Sequence, residues 1–203
     1  MLRLSAHLLL LLVLGCASTA TTNASDTERL LAQIPEGWVQ VIDNQLGNLH
    51  IAEYYPADTT EDWRHKLSIE ALAGDGLPDP LVYTQGMAEE QAKVCNKFTS
   101  NVVFAGFENG YPTVVQMMDC GESKRTSTAL VTMMKVILGN QALYTVTRIW
   151  RIPVTPGTTS ENPGAVPAQT TIDKSELAGW SQKLRQVKVC DASLKAHPCD
   201  EAD

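Results

Sequence analysis

The sequence has few basic residues and no long hydrophobic run. Its 203 residues include 16 lysines and arginines against 23 aspartates and glutamates, which gives a net charge of −7. A nucleic-acid-binding protein needs basic residues to neutralise phosphates, so we expect no nucleic-acid partner. The aliphatic run at 8–14 is far shorter than the roughly 20 residues that cross a bilayer as a helix.

Several catalytic and redox motifs are also missing. Without G-x-S-x-G there is no nucleophile elbow, and without C-x-x-C there is no support for thiol exchange of the thioredoxin type. Gly106, Gly110 and Gly121 fit strands or turns rather than a phosphate-binding loop. The sequence therefore predicts no catalytic site of these classes, and we expect no cofactor and no metal.

The N-terminus is typical of a secretory signal peptide. One arginine is followed by the apolar run and then by small residues. Val13-Leu14-Gly15-Cys16 resembles the bacterial lipobox, which has an aliphatic residue three positions before the cysteine and a small residue directly before it. The resemblance implies diacylation of Cys16, cleavage before it and acylation of the new amino group. The alternative is ordinary cleavage after Ala20.

Lipidation would fix the protein to a membrane, because each buried methylene adds roughly 0.8 kcal/mol and several acyl chains hold firmly. Ala17 follows Cys16, with no aspartate there, which resembles Gram-negative lipoproteins passed on to the outer membrane. We therefore expect a cell-envelope protein on the periplasmic face of the outer membrane. Its expected partners are the membrane, through the lipid, and an envelope protein.

The sequence divides into four predicted parts. These are a lipoprotein signal peptide at 1–15, a flexible Ser/Thr/Ala tether at 16–28, a single domain at 29–190 and a C-terminal tail at 191–203. The stretch 153–171 is rich in Pro, Thr and Gly and is predicted to be a functional or disordered loop.

Strands and one helix are predicted in the first half of the domain. Alternating apolar residues predict strands at 38–42, 49–55 and 66–73, with turn chemistry at 43–48. Asp79-Pro80 predicts a helix that begins there, with Asp79 as N-cap, and continues to about Cys95.

Two hairpins follow. Asn109-Gly110 between 101–108 and 111–119 predicts a type I′ turn, and Gly139-Asn140 between 127–138 and 141–152 predicts a type II′ turn. In the second hairpin we expect Met133 opposite Val146, Lys135 opposite Tyr144, and Ile137 opposite Ala142. These four strands are predicted to form a meander at the centre of the sheet.

A last helix completes the predicted fold. Asp173 and Glu176 match a capping box, and Leu177, Trp180, Leu184 and Val187 fall on one helical face. The fold class is therefore α+β, a largely antiparallel sheet of about seven strands with two main helices packed on it. From residue 37 to 189 the element order resembles the PsbP family, the extrinsic subunits of photosystem II. That resemblance implies an accessory or protein-binding role rather than an enzyme.

Four cysteines remain after Cys16, and an exported protein is expected to form disulfides with them. Of the three possible connectivities we favour Cys95–Cys120 with Cys190–Cys199. A redox dithiol is the first alternative. The second is a zinc site at His197-Pro198-Cys199-Asp200 with Cys190 upstream, although the spacing matches no regular zinc motif.

The predicted binding residues are Arg148, Trp150 and Tyr144. They share one face of a predicted strand, where a cation beside aromatic rings could form a ligand-binding surface. The structural alternative is an arginine that pairs with Glu53 or Glu70 and stacks on Trp150.

The sequence favours a non-catalytic module that binds a partner protein or ligand. Its expected contacts are the face around Arg148 and the loop 153–171, with an exposed hydrophobic patch there. The competing hypothesis is a periplasmic enzyme, which requires His65, Glu70 and Arg148 to converge in one cleft. A third is a purely structural envelope protein, with neither cleft nor patch.

Overall fold

The computed structural model describes residues 19–20, 27–59, 64–124, 128–153 and 172–199. The predicted lipidation site at Cys16 and the predicted loop from residue 154 onward lie outside these ranges. The elements are β1 Thr19–Ala20, β2 Glu28–Gln33, β3 Trp38–Leu46, β4 Leu49–Pro56, β5 His65–Ala73, α1 Pro80–Lys93, β6 Phe98–Glu108, β7 Tyr111–Cys120, β8 Thr128–Leu138, β9 Ala142–Pro153, α2 Lys174–Gln186 and β10 Lys188–Asp191.

Seven strands form one antiparallel sheet in the order β3-β4-β5-β9-β8-β7-β6, and β1-β2-β10 form a smaller sheet. This confirms the predicted α+β fold. The expectation that the four-strand meander lies at the centre was wrong. Because β9 pairs with β5 from His65 to Ala73, the first three strands all extend the sheet on one side and leave β6 at its edge.

The large sheet is covered on both faces. On one face Met133, Tyr144 and Val146 form the main core with Trp180 and Leu184 of α2 and with residues of the smaller sheet. On the other face Met118, Met134, Val136 and Leu143 pack with residues of α1. Neighbouring residues of one strand therefore belong to different cores, since side chains alternate across a sheet.

Both helices begin where the sequence predicts. Asp79 accepts a hydrogen bond from Leu81 N, and Asp173 accepts one from Ser175 N, each at 2.8 Å. Helix α1 ends at Lys93, two residues before the predicted end at Cys95. The predicted face of α2 is confirmed, because Trp180, Leu184 and Val187 are buried and Leu177 packs against the core. Neither helix of the described ranges is long and apolar enough to cross a membrane.

The β6–β7 turn is confirmed and the β3–β4 turn is shorter than predicted. Asn109 and Gly110 have φ angles of 47° and 83°, as a type I′ turn requires. Between β3 and β4 the turn is confined to Gly47-Asn48, because residues 43–46 pair in register with β4. The prediction of turn chemistry across 43–48 was therefore wrong for its first four residues.

The predicted register of the β8–β9 hairpin was wrong by two residues. Met133 lies opposite Arg148, Lys135 opposite Val146, and Ile137 opposite Tyr144. Gly139 has no positive φ, unlike the first glycine of a type II′ turn. The turn is contacted by a residue distant in sequence: the carboxylate of Glu28 accepts hydrogen bonds from Asn140 N at 2.7 Å and Gln141 N at 3.1 Å.

The folded region extends beyond the predicted limits 29–190. Glu28, assigned to the tether, is fully buried at the start of β2, which pairs with β10. The described part of the tail also packs on the domain, where His197 Nδ1 lies 2.7 Å from Asn109 O. The structure forms the two favoured disulfides, Cys95–Cys120 and Cys190–Cys199, with Cα–Cα distances of 5.5 and 4.9 Å.

Candidate functional site

Arg148 lies in β9 among three tryptophans. Its side chain is 8% exposed, and its guanidinium carbon is 4.3 Å from the ring centroid of Trp38, 5.1 Å from that of Trp150 and 5.6 Å from that of Trp180. A guanidinium over aromatic faces is a favourable cation–π arrangement, most so when both groups are removed from water. The predicted stacking of Arg148 on Trp150 is therefore part of a larger aromatic cluster.

The ion-pair partner of Arg148 is Glu176, at 3.3 Å from Nη2, rather than Glu53 or Glu70 as the structural alternative supposed. Both predicted partners lie on the opposite face of the sheet. Glu53 pairs there with Lys66 at 2.7 Å, and Glu70 accepts a hydrogen bond from Ser68 at 3.0 Å.

Glu176 joins α2 to the sheet. In the predicted capping box, its carboxylate would accept from the backbone N–H of Asp173. In the structure, Glu176 Oε1 instead accepts from Trp150 Nε1 at 2.7 Å and lies 3.5 Å from His65 Nδ1. Burial lowers the pKa of His65, and the positive charge of Arg148 lowers it further. Burial also lowers the pKa of Arg148, to about 10, although Glu176 opposes the shift. Arg148 therefore remains a cation at neutral pH.

These groups border a cleft of about 280 Å³, which we call the tryptophan cleft. Its lining residues are Pro35, Trp38, Arg148, Trp150, Glu176, Gly179, Trp180 and Lys183. The four α2 residues share one helix face, because their spacing follows the helical repeat. Gly179 leaves room in the cleft, since a Cβ placed there would meet nothing within 4 Å.

Two buried donors at the cleft have no hydrogen-bond partner among the residues that the structure describes. They are Arg148 Nη1 and Trp180 Nε1. Trp180 is 6% exposed and Trp150 is 2% exposed, so both also belong to the hydrophobic core. Trp38 is only partly buried, and the fourth tryptophan, Trp63, lies outside the described ranges.

The structure brings together two of the three predicted binding residues. Arg148 and Trp150 line the cleft, but Tyr144 is fully buried elsewhere, with its hydroxyl 3.3 Å from Glu28 Oε1. Sequence reasoning missed Trp38, Glu176, Trp180 and Lys183 as site residues. The available signal was the predicted inward face of α2, which carries Trp180 four residues after Glu176.

The competing enzyme hypothesis required His65, Glu70 and Arg148 to share one cleft, and they do not. His65 and Arg148 both lie near Glu176. Glu70 lines a separate cavity under α1, together with Glu53, Lys66 and Tyr83. The reason is the alternation of side chains along β5, where residues five positions apart point to opposite faces.

The zinc alternative at the C-terminus is also contradicted. Cys190 and Cys199 are joined in a disulfide, and the His197 ring stacks on Tyr111 with centroids 4.2 Å apart. A cysteine in a disulfide cannot ligate zinc as a thiolate. Within the described ranges, no group of three or more His, Cys, Asp or Glu residues is placed to hold a metal ion.

The hydrophobic patch expected around Arg148 lies elsewhere. Trp150 and Trp180 are buried, whereas β6 exposes Val102, Val103, Phe104 and Phe107, the last of them to 73%. The physical reason is position in the sheet: β9 is an inner strand covered by α2, while β6 is an edge strand.

A buried lysine holds α2 in place over the cleft. Lys135 Nζ donates to Leu184 O at 2.7 Å and Val187 O at 2.6 Å, and it pairs with Glu108. These carbonyls lie at the C-terminal end of α2, where a positive charge is favourable. Burial lowers the pKa of Lys135, and Glu108 acts in the opposite direction.

No family model and no curated protein matches this sequence. Among solved structures, the chain is similar to the solution structure of cyanobacterial PsbP (CyanoP) from Synechocystis sp. PCC 6803, with 13% identity and a TM-score of 0.41, over 70% of this chain and 84% of that one. It is also similar to the crystal structure of LpqN, involved in cell envelope biogenesis of Mycobacterium tuberculosis, with 10% identity and a TM-score of 0.38, over 85% and 90%. With identities and TM-scores this low, the functional argument rests on the residues of this chain.

Proposed function

We propose that this protein is a non-catalytic ligand-binding module of the cell envelope, held to a membrane by lipid on Cys16. The tryptophan cleft is its binding site. The observation that carries the proposal is the buried guanidinium of Arg148, surrounded by three tryptophans at the wall of an open cleft.

The composition of the cleft supports binding rather than chemistry. Ligand sites combine apolar and aromatic walls with a few placed polar groups. The described residues that line the cleft include three tryptophans and one ion pair, and the single carboxylate among them, that of Glu176, already accepts from Arg148 and Trp150. The volume lies near the lower end for such sites, so the cleft fits a small group or the end of a longer molecule.

Filling the cleft tests this function. Gly179→Leu places a side chain in the open space beside Trp180, and Gly86→Leu makes the same change in α1, where a Cβ also meets nothing within 4 Å. We expect soluble glycan and peptide fragments of the envelope to change the tryptophan fluorescence of the wild type and of Gly86→Leu. In Gly179→Leu we expect the change to be lost. Equal responses of all three proteins, or no response of the wild type, would contradict the proposed site.

The lipid anchor is tested separately. We expect Cys16→Ser to move the protein from the membrane fraction to the soluble fraction, because the acylated residue is removed. Ala20→Leu is the matched control, since it blocks ordinary cleavage after Ala20 and leaves the lipobox intact. If Ala20→Leu stops processing and Cys16→Ser leaves the membrane fraction unchanged, the protein is not anchored through Cys16.

A further inference from the structure

We infer that the ligand of the tryptophan cleft carries a carboxylate, which accepts hydrogen bonds from Arg148 Nη1 and Trp180 Nε1. This inference rests on the proposed function and names the chemical class of the ligand. It concerns two donors that no described residue of the chain uses.

The two donors are buried on side chains that are more than nine-tenths enclosed. Arg148 is 8% exposed and Trp180 is 6% exposed, and neither Nη1 nor Nε1 has a partner among the described residues. A buried donor without a partner is destabilising because it has lost its bonds to water, and the large majority of buried polar groups in proteins do have a partner. Two such donors at one cleft indicate an acceptor that comes from outside the chain.

Both donors belong to residues that line the tryptophan cleft, and the guanidinium carbon of Arg148 lies 5.6 Å from the ring centroid of Trp180. Nη2 of the same guanidinium is already used by Glu176, at 3.3 Å, so the ligand is left with Nη1. A carboxylate offers two acceptor oxygens, one for each of the two donors.

The charge at the cleft favours a monoanion. Its charged lining residues are Arg148, Lys183 and Glu176, which sum to one positive charge in a chain whose net charge is −7. A carboxylate neutralises that charge. A phosphate dianion brings more negative charge and more acceptors than the two free donors can satisfy.

The volume of the cleft limits the size of the chemical group that bears the carboxylate. A volume of about 280 Å³ accommodates a group of monosaccharide or single-residue size, with the tryptophan rings as apolar walls. Two sources fit this chemistry: an acidic sugar, and the C-terminal residue of a peptide. Both present a carboxylate beside a flat or apolar group.

Matched pairs of probes test the inference on the detergent-solubilised full chain. N-acetylmuramic acid is compared with N-acetylglucosamine, which lacks the carboxylate, and an N-acetylated dipeptide acid is compared with its C-terminal amide. Inorganic phosphate is the third arm. In ligand-detected NMR titrations we expect one acid to bind about 10-fold or more tightly than its neutral partner, as a charged hydrogen bond provides. The pair that shows the difference identifies the source.

Conservative variants assign the effect to the two donors. Arg148→Lys keeps a cation for Glu176 but removes the planar guanidinium and its Nη1 donor. Trp180→Phe keeps an aromatic ring but removes the indole N–H. We expect both variants to lose the preference for the acid. Tyr83→Phe, which also removes a donor from an aromatic ring but lies in the separate cavity under α1, is expected to keep it. Thermal melting shows which variants fold, and the comparison of acid with neutral probe in the wild type needs no variant.

The outcomes separate this inference from the proposed function. If acid and neutral probes bind equally well and Gly179→Leu abolishes both, the cleft is a binding site but the carboxylate assignment is wrong. Tighter binding of phosphate than of both acids also overturns the assignment. If no probe binds and Gly179→Leu changes nothing, both the assignment and the proposed function fail.

Discussion

The carboxylate of Glu28 connects several elements of this protein. It is fully buried, and its carboxylate accepts from Asn140 N and Gln141 N at 2.7 and 3.1 Å. The hydroxyls of Tyr144 and Tyr111 lie at 3.3 and 3.4 Å. A buried charge is tolerated when its acceptors are filled in this way. Glu28 thereby connects β2 to β7, to β9 and to the β8–β9 turn.

Replacing Gly139 with alanine tests this connection. The new Cβ would lie 2.4 Å from Glu28 Oε1, so the carboxylate or the turn must move. We expect the free energy of unfolding to fall by about 1–3 kcal/mol, the usual cost of overpacking a core. Gly86→Ala is the control, because that helical position is open and alanine should raise stability by about 0.5–1 kcal/mol. Urea denaturation measures both, and a Gly139→Ala protein as stable as the wild type contradicts the expectation.

At the scale of elements, the two edges of the large sheet differ. β6 carries one charged residue, Glu108 at its end, which pairs with Lys135, whereas β3 carries Asp43, whose side chain is 63% exposed. Both edge strands contain a bulge, at Val103 in β6 and at Val41 in β3. An edge strand with a long uncharged stretch of exposed apolar residues is a template for pairing with another chain. The β6 edge is therefore the expected site of self-association at high protein concentration.

A lysine at each bulge tests the difference between the edges. Val103 and Val41 are 62% and 50% exposed, so Val103→Lys and Val41→Lys should each change stability by no more than about 0.5 kcal/mol. We expect Val103→Lys to raise about two- to five-fold the highest concentration at which the protein stays monomeric, because a charge blocks pairing of the edge strand with another chain. Val41→Lys should have a smaller effect. Light scattering measures the limit, and equal effects at the two edges would show that β6 has no special role.

At the scale of the whole molecule, the tyrosines share one electrostatic property. Burial raises the pKa of all five above the ordinary value of 10.0, and nearby carboxylates add to the shift. Glu28 acts on Tyr111 and Tyr144, and Glu53 acts on Tyr55. The folded state therefore favours the neutral form of these phenols, so their protonation contributes to the stability of the fold in addition to their packing.

These pKa shifts of the tyrosines predict the pH above which the folded protein loses stability. A group whose pKa is higher when folded binds more protons in the native state, so its contribution is complete below about pH 10 and is lost as pH rises through the folded value. Lys135 and Arg148, whose pKa values are lowered, act in the opposite direction, but they are two groups against five tyrosines. We expect phenolate absorbance at about 295 nm to rise together with the loss of circular dichroism above about pH 10. Ionisation of all five tyrosines near pH 10 in a native protein would contradict this.

Features that depend on a few neighbouring residues could be predicted from the sequence. Asp79 and Asp173 cap their helices because the bonds they accept come from two residues away. Asn109-Gly110 makes its turn because the required positive φ angles are local. The apolar face of α2 and the strand patterns follow from helix and sheet periodicity. Together these signals were enough for the α+β fold class.

The sequence by itself thus determined the seven strands of the large sheet, the two helices with their N-caps, the inward face of α2 and the strand that carries Arg148. Only the tertiary structure decided that Glu176 pairs with Arg148, that Trp38 and Trp180 join the cleft, and that Glu70 is excluded from it. It also decided the register of β8 and β9 and brought Glu28 to the turn between them. The physical reason is that local backbone geometry sets an element, whereas the partners of a buried charge depend on which distant elements the sheet order brings together.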